Sequence, residues 1–284
     1  MGLMSRPRRS SCVRKVKVFS ATVGESFGKT TENFGDNLMA DILQDLFSVE
    51  PVYVAPARAE LIGVGSIIDA YYRYSRKKYM FLRKRPWRTL HVWGSGFMNS
   101  GTPGLWPQRL VFDAVRGELS KARVAPNQDI ALGDPAILLP LIWPKKVVAT
   151  SEVVVIPHFV TYQTFLERYG TSLPRHWRVL NLLGDPQKLC EAISASELVI
   201  SSSLHGLIVA DAYGVPSIWM EPHGKIKGDG FKFADYFTFR GAPLPGPVDF
   251  DSLLTAGGVD KAGNAPAVPS AETIDRLLRS FPFR

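Results

Sequence analysis

The chain has 284 residues, 45% of them hydrophobic, and a formal net charge of +8. That length allows one large domain or two of roughly 130–140 residues, each with its own core, and the composition excludes a disordered chain. Cys12 and Cys190 lie far apart without metal-ligand spacing, and the most apolar stretches are broken by Gly, Asp and Pro. A cytoplasmic protein without disulfides, signal peptide or transmembrane helix is therefore expected.

Apolar, β-branched runs predict strands at residues 13–19, 52–54, 60–63 and 89–93 in the first part of the chain. Between the first two, Leu38, Met39, Ile42, Leu43, Leu46 and Phe47 recur on one helical face, with Asp36 or Asn37 placed to cap the helix. No acidic residue occurs between Asp69 and Asp113, while eight basic ones fall from Arg73 to Arg88 among Tyr74, Tyr79, Phe81 and Trp87. Such a segment reads either as a solvated helix face or as a surface for an anionic partner, a membrane surface included. No nucleic-acid fold signature accompanies it, so nucleic acid ranks last as a partner. Further strands are predicted at 111–115, 153–156, 179–182, 198–200 and 217–220. A helix opens at Asp185 and Pro186, another runs through Leu207 to Ala212, and Ser270 caps a last one after a Gly-, Ala- and Pro-rich loop.

Alternating strands and helices with near-continuous apolar strands imply an α/β fold with parallel sheets covered on both faces. Pro144 and two lysines mark a boundary. Two Rossmann-like domains facing a cleft are expected, residues 13–145 on the acceptor side and 146–284 on the donor side, with the terminal helix packing on either.

In such folds ligands bind beyond the carboxyl ends of strands, where helix N-termini present free N–H groups. "SSSLHG" falls at such a point. Ser201, Ser202, Ser203, Leu204, His205 and Gly206 would bring hydroxyls, N–H groups and a dipole of about half a charge onto an anion. A capped helix with a satisfied histidine is the bland alternative. Asn33, Gly35, Asp36 and Asn37 form a second cluster, richer in polar groups than capping needs. The turn carrying Gly94, Ser95 and Gly96 is a third; it lacks the last glycine and the acidic residue of a dinucleotide fingerprint. Arg116 follows a strand and offers a planar fork for a carboxylate, or a surface pair with Glu118. Asp134 reads as structural. His158, Glu221 and His223 end strands and are further candidates.

In this order, "NFGDNLMADIL", "LIGVGSII", "HVWGSGF", "AVRGELS", "LGDPAILL", "VVVIPHF" and "ELVISSSLHGLIVADAYGVPSIWME" resemble the polysaccharide pyruvyl transferase family. The resemblance implies a fold like the two-domain GT-B glycosyltransferases. It also implies transfer of the pyruvyl group of phosphoenolpyruvate onto two hydroxyls of a sugar as a cyclic ketal, in exopolysaccharide or cell-surface glycan synthesis. His205 and Arg116 take the positions of the family's donor-contacting histidine and arginine. Ser203 stands where many members have a second arginine. Protonated His205 is then the expected acid, and Asp36, His158 or Glu221 the base, with no choice among them. No metal or organic cofactor is expected. The acceptor expected is a sugar, as a lipid diphosphate held near the membrane by the segment from Arg73 to Arg88. A nucleotide-sugar glycosyltransferase and a non-catalytic anion- or glycan-binding module are the alternatives.

Overall fold

The computed structural model describes residues 13–20, 34–72, 89–101, 110–145, 150–222, 224, 226–241, 243–255 and 265–284, and for residues 35–37 and 72 the backbone alone. Ten strands form two wholly parallel sheets. In the first, β1 (Arg14–Val18), β2 (Val49–Tyr53), β3 (Leu61–Ile62), β4 (Leu90–Trp93), β5 (Leu110–Val115) and β6 (Ala131–Leu132) lie in the order β2-β1-β3-β4-β5-β6. In the second, β7 (Val153–Ile156), β8 (Trp177–Val179), β9 (Leu198–Ser201) and β10 (Ser217–Trp219) lie in the order β10-β9-β7-β8. Each sheet reverses its strand order once, between β1 and β3 and between β7 and β9. Chain leaving neighbouring strands at such a point turns in opposite directions, and in open α/β sheets generally this is where ligands bind.

The main helices are α1 (Phe34–Phe47), α2 (Glu118–Val124), α3 (Tyr162–Tyr169), α4 (Pro186–Ala195), α5 (Leu204–Ala212), α6 (Phe231–Phe239) and α7 (Ala271–Arg279). Helix α1 starts at Phe34, whose N–H donates to the Leu182 carbonyl at 3.1 Å. Asp36 and Asn37 therefore lie inside the first turn, so neither is the cap that the sequence reading expected. Asp185 and Ser270 do cap α4 and α7, accepting from Lys188 N and Thr273 N. In α5, seven of nine residues are buried, which explains why its sequence shows no polar face. The two-residue strand β6 pairs with β5, and Asp134, read as structural, caps the next turn through Ala136 N.

The two sheets occupy residues 14–132 and 153–219, on either side of the expected boundary, but the helices do not divide there. Helix α6 packs on α2 so tightly that a Cβ on Gly117 would lie 1.9 Å from the Asp235 carbonyl oxygen. Helix α7 packs on β6, and the chain behind it covers β4: Trp93 Nε1 donates to the Leu277 carbonyl at 3.0 Å, and Phe281 stacks on Phe47 at 3.9 Å. The terminal helix thus sits on the first sheet. One hydrophobic cluster runs through both halves, joining Val16, Leu38 and Trp93 to Val154, Leu207 and Phe237. No helix among the described residues is long and apolar enough to cross a membrane.

Candidate functional site

The reversal between β7 and β9 brings together two segments the sequence reading kept apart. His158 follows β7 and Ser202 follows β9, and the His158 N–H donates to Ser202 Oγ at 2.9 Å. Ser201 Oγ donates to the carbonyls of Ile156 and Ser203 and accepts from Ser203 N, at 2.9–3.1 Å. Both side chains are fully buried. The expectation that three hydroxyls meet a ligand is corrected accordingly: Ser201 is a staple between β7 and the start of α5, and Ser202 holds the His158 backbone. Ser203 occupies the N-cap of α5 but makes no side-chain cap bond.

His205, in the first turn of α5, points at the first half of the chain. Its Nε2 is buried, has no hydrogen-bond partner among the described residues, and lies 3.8 Å from Asp134 Oδ2. Burial first, then the charges of Lys232 and Arg116 and the neighbouring His158, lower its pKa to about 3. His158 stacks on Phe159 and is lowered to about 4 by burial and then by Lys232. Both imidazoles are neutral at neutral pH in the free protein. That corrects the expectation of a standing imidazolium at His205.

Arg116 is fully buried, and its fork is already occupied. Nε donates to Asp235 Oδ2 at 3.0 Å, Nη2 donates to the Phe97 carbonyl at 2.8 Å and lies 3.0 Å from Asp235 Oδ2, and Nη1 donates to Ser66 Oγ. It therefore shapes the site through its charge and by holding α6, rather than by presenting a free fork to a carboxylate. Lys232 is the residue the sequence reading missed. It lies one residue into α6, is 7% exposed, and acts electrostatically on both histidines. Burial, then Arg116, lowers its pKa to about 8. Its signal in the sequence was weak: a single lysine in "GFKFADYF", whose aromatic stripe reads as core.

Other expected contacts turn inward. Gly94 has φ +82°, and a Cβ there would lie 2.4 Å from Pro135 Cδ. Ser95 Oγ donates to the Gly65 carbonyl, and a Cβ on Gly96 would lie 2.4 Å from the Arg116 guanidinium. This turn is built for packing, not for a ligand. Leu204 joins the core, and a Cβ on Gly206 would lie 2.3 Å from Ser201 Oγ. Glu221 is exposed beyond β10, its N–H donating to the Val248 carbonyl. Asn33, His223 and the basic segment from Arg73 to Arg88 lie outside the described residues, as do the side chains of Asp36 and Asn37. A pocket of ≈ 190 Å³ lined by Glu118, Lys121, Asp129, Phe239, Thr273 and Arg276 contains none of the predicted site residues.

The arrangement is therefore two neutral imidazoles beside the ends of β7 and β9, one locked arginine and one desolvated lysine. Residues 33–224 match the family model described as polysaccharide pyruvyl transferase. That span is more than half of the chain and contains both histidines and Arg116. The class is thus a transferase. The chain belongs to the polysaccharide pyruvyl transferase family. Succinoglycan biosynthesis protein ExoV of Rhizobium meliloti (strain 1021) is 26% identical over 245 residues, covering 78% of this chain and 67% of that protein. An uncharacterized protein of Acanthamoeba polyphaga mimivirus, L143, is 30% identical over 135 residues, 45% of this chain and 47% of that one. The chain thus spans about half the length of one curated relative and two thirds of the other. A solved structure of a functionally uncharacterized protein from Klebsiella pneumoniae has a TM-score of 0.47 at 11% identity, covering 84% of this chain and 92% of that one.

Proposed function

We propose that this protein transfers the pyruvyl group of phosphoenolpyruvate onto two hydroxyls of a sugar during polysaccharide synthesis. The observation that carries the reading is the meeting of His158, His205 and Lys232 at the reversal of the second sheet, with Arg116 acting from the first. Phosphoenolpyruvate brings a carboxylate and a phosphate, and a basic, desolvated crevice at strand ends suits such an anion. The family membership and the ExoV relative support the pyruvyl and polysaccharide halves of the reading.

The chemistry balances with the residues present. A proton goes to the donor's methylene carbon, a sugar hydroxyl forms a C–O bond to the adjacent carbon, and the bond from that carbon to the phosphate oxygen breaks. The second hydroxyl then closes the ketal, and the two hydroxyl protons leave with base and phosphate. His205, neutral in the free protein, becomes the acid by taking up a proton as the donor's negative charge arrives. His158, at the end of the neighbouring strand, serves as base by releasing the Val160 N–H that its Nδ1 accepts at 3.3 Å and taking the hydroxyl proton there. No metal or organic cofactor enters the scheme. The basic segment from Arg73 to Arg88 is assigned to a lipid-diphosphate-linked acceptor at the inner membrane face.

The test is phosphate release and acceptor mass with phosphoenolpyruvate and a panel of free and lipid-linked oligosaccharides. Acceptor-dependent phosphate release with a mass gain of one pyruvyl ketal supports the reading. Glycosyl transfer from a nucleotide sugar, with phosphoenolpyruvate inert, overturns it.

A further inference from the structure

Lys232 is buried without a counter-ion among the described residues. Its recorded contact is the Phe233 ring, 5.2 Å from Nζ, and no carboxylate is among the groups acting on it. Two carboxylates lie three residues away: Asp229 accepts from Ser100 and from Phe231 N, and Asp235 is fully committed, Oδ2 accepting from Arg116 Nε and Ser120 Oγ and Oδ1 from Ser120 N. The groups it acts on, or is acted on by, are themselves basic: His158, His205 and Arg116. A desolvated ammonium facing other bases is costly, and proteins seldom keep one unless something anionic visits.

The backbone holds this lysine in place. Gly230, at φ 86°, starts the helix in a left-handed turn that only glycine adopts freely. Phe233 stacks face to face on Trp219 at the end of β10, with centroids 4.4 Å apart and planes 18° apart. The preceding loop is tied down by Asp229, which accepts from the Ser100 N–H at 2.9 Å and from the Ser100 hydroxyl. Arg123 covers the same region, stacking over Phe97 at 3.7 Å and over Phe231 at 5.1 Å. The position is fixed by packing from both halves of the chain, while the charge meets no carboxylate among the described residues.

We propose that Lys232 is the donor-binding cation of this site, its ammonium taking the carboxylate or phosphate of the donor. This rests on the proposed function and names the residue that anchors the anion, a role the locked Arg116 does not fill. An ammonium has three donors and no fixed plane, so it serves either group as a point charge. Lys232, with its pKa of about 8, is charged at neutral pH and loses that charge within a mildly alkaline range.

The experiment is calorimetric titration of phosphoenolpyruvate, without acceptor, into wild type, Lys232→Gln and Lys232→Arg. Thermal melts check that each variant is folded. The Gln variant is expected to bind about 10–100-fold more weakly, the size of one lost charge-assisted hydrogen bond, and the Arg variant within a few-fold of wild type. Wild-type affinity is also expected to fall as pH rises through about 8, with that limb absent from Lys232→Arg, whose charge persists. Unchanged affinity in the Gln variant overturns the assignment and leaves the proposed function standing. A wild type that binds no phosphoenolpyruvate overturns both. Should the Gln variant lack a cooperative melt, the Arg variant decides: an alkaline limb that persists in it overturns the role of Lys232.

Discussion

Replacing Lys232 by methionine should stabilise the free protein while removing its donor site. Methionine keeps an unbranched stem beside Phe233 and deletes the ammonium. Folding lowers the Lys232 pKa from 10.5 to about 8. At about 1.4 kcal/mol per unit, this is a penalty of about 3 kcal/mol on the charged form at neutral pH. The lost cation–π contact over Phe233 returns about 0.5–1 kcal/mol of that, leaving a net gain of about 2 kcal/mol. In a chain of this size such a gain raises the melting midpoint by about 4 °C. The sign with pH is definite. The unfolded chain binds the extra proton between pH 8 and 10.5, so the wild-type penalty is complete below pH 8 and fades above it. Melting curves of both proteins at pH 7 and pH 10 check this: the variant should lead at pH 7 and lose its lead at pH 10. A variant that melts below wild type at pH 7 would refute the reasoning, because Lys232 would then be a structural partner.

The two histidines predict acid sensitivity. Folding lowers His158 to about 4 and His205 to about 3 from 6.5, so their contribution to stability is complete above pH 6.5. It is lost on acidification with a slope approaching about 2.7 kcal/mol per pH unit for the pair; denaturant midpoints in His158→Gln, His205→Gln and the double variant should flatten that slope stepwise. Donor binding should draw protons from solution, since an anion beside His205 raises its pKa; calorimetry in buffers of different ionisation enthalpy reads the uptake, and zero uptake contradicts the acid role. Asp235→Asn breaks the fully buried pair with Arg116 and should cost about 3–5 kcal/mol in urea unfolding. Gly206→Ala would push against Ser201 Oγ at 2.3 Å and should destabilise by about 1–3 kcal/mol, with loss of the β7–α5 staple visible in amide exchange.

The sheets were legible because parallel strands buried on both faces are continuous apolar runs: Val153–Ile156 and Leu198–Ser201 announce themselves without context. Helix α6 was not, because Phe233, Tyr236 and Phe237 are buried, Phe231 and Phe239 are half-buried, and together they leave no single stripe. Two-residue β6 escaped for another reason: a pair of residues carries no period. At the site, His158 and His205 could be named from strand ends, yet the serines beside them were misread. Backbone groups exposed by the sharp turn after β9 take up the hydroxyls of Ser201 and Ser202, and that demand exists only once β7 lies alongside. Arg116 could be placed after its strand, but its partner Asp235 is 119 residues away and invisible to spacing.

The amino-acid order by itself settled the alternation of strand and helix, the parallel sheets and the strand ends where imidazoles gather, because those depend on local periodicity and on where polar residues interrupt apolar runs. Folding in three dimensions decided which charges are neutralised and which are left over. Arg116 met Asp235, while Lys232 was buried near it with no acid to meet among the described residues. The physical reason is that desolvation and Coulomb energy depend on distance through space, and no spacing along the chain encodes that distance for residues more than a hundred positions apart.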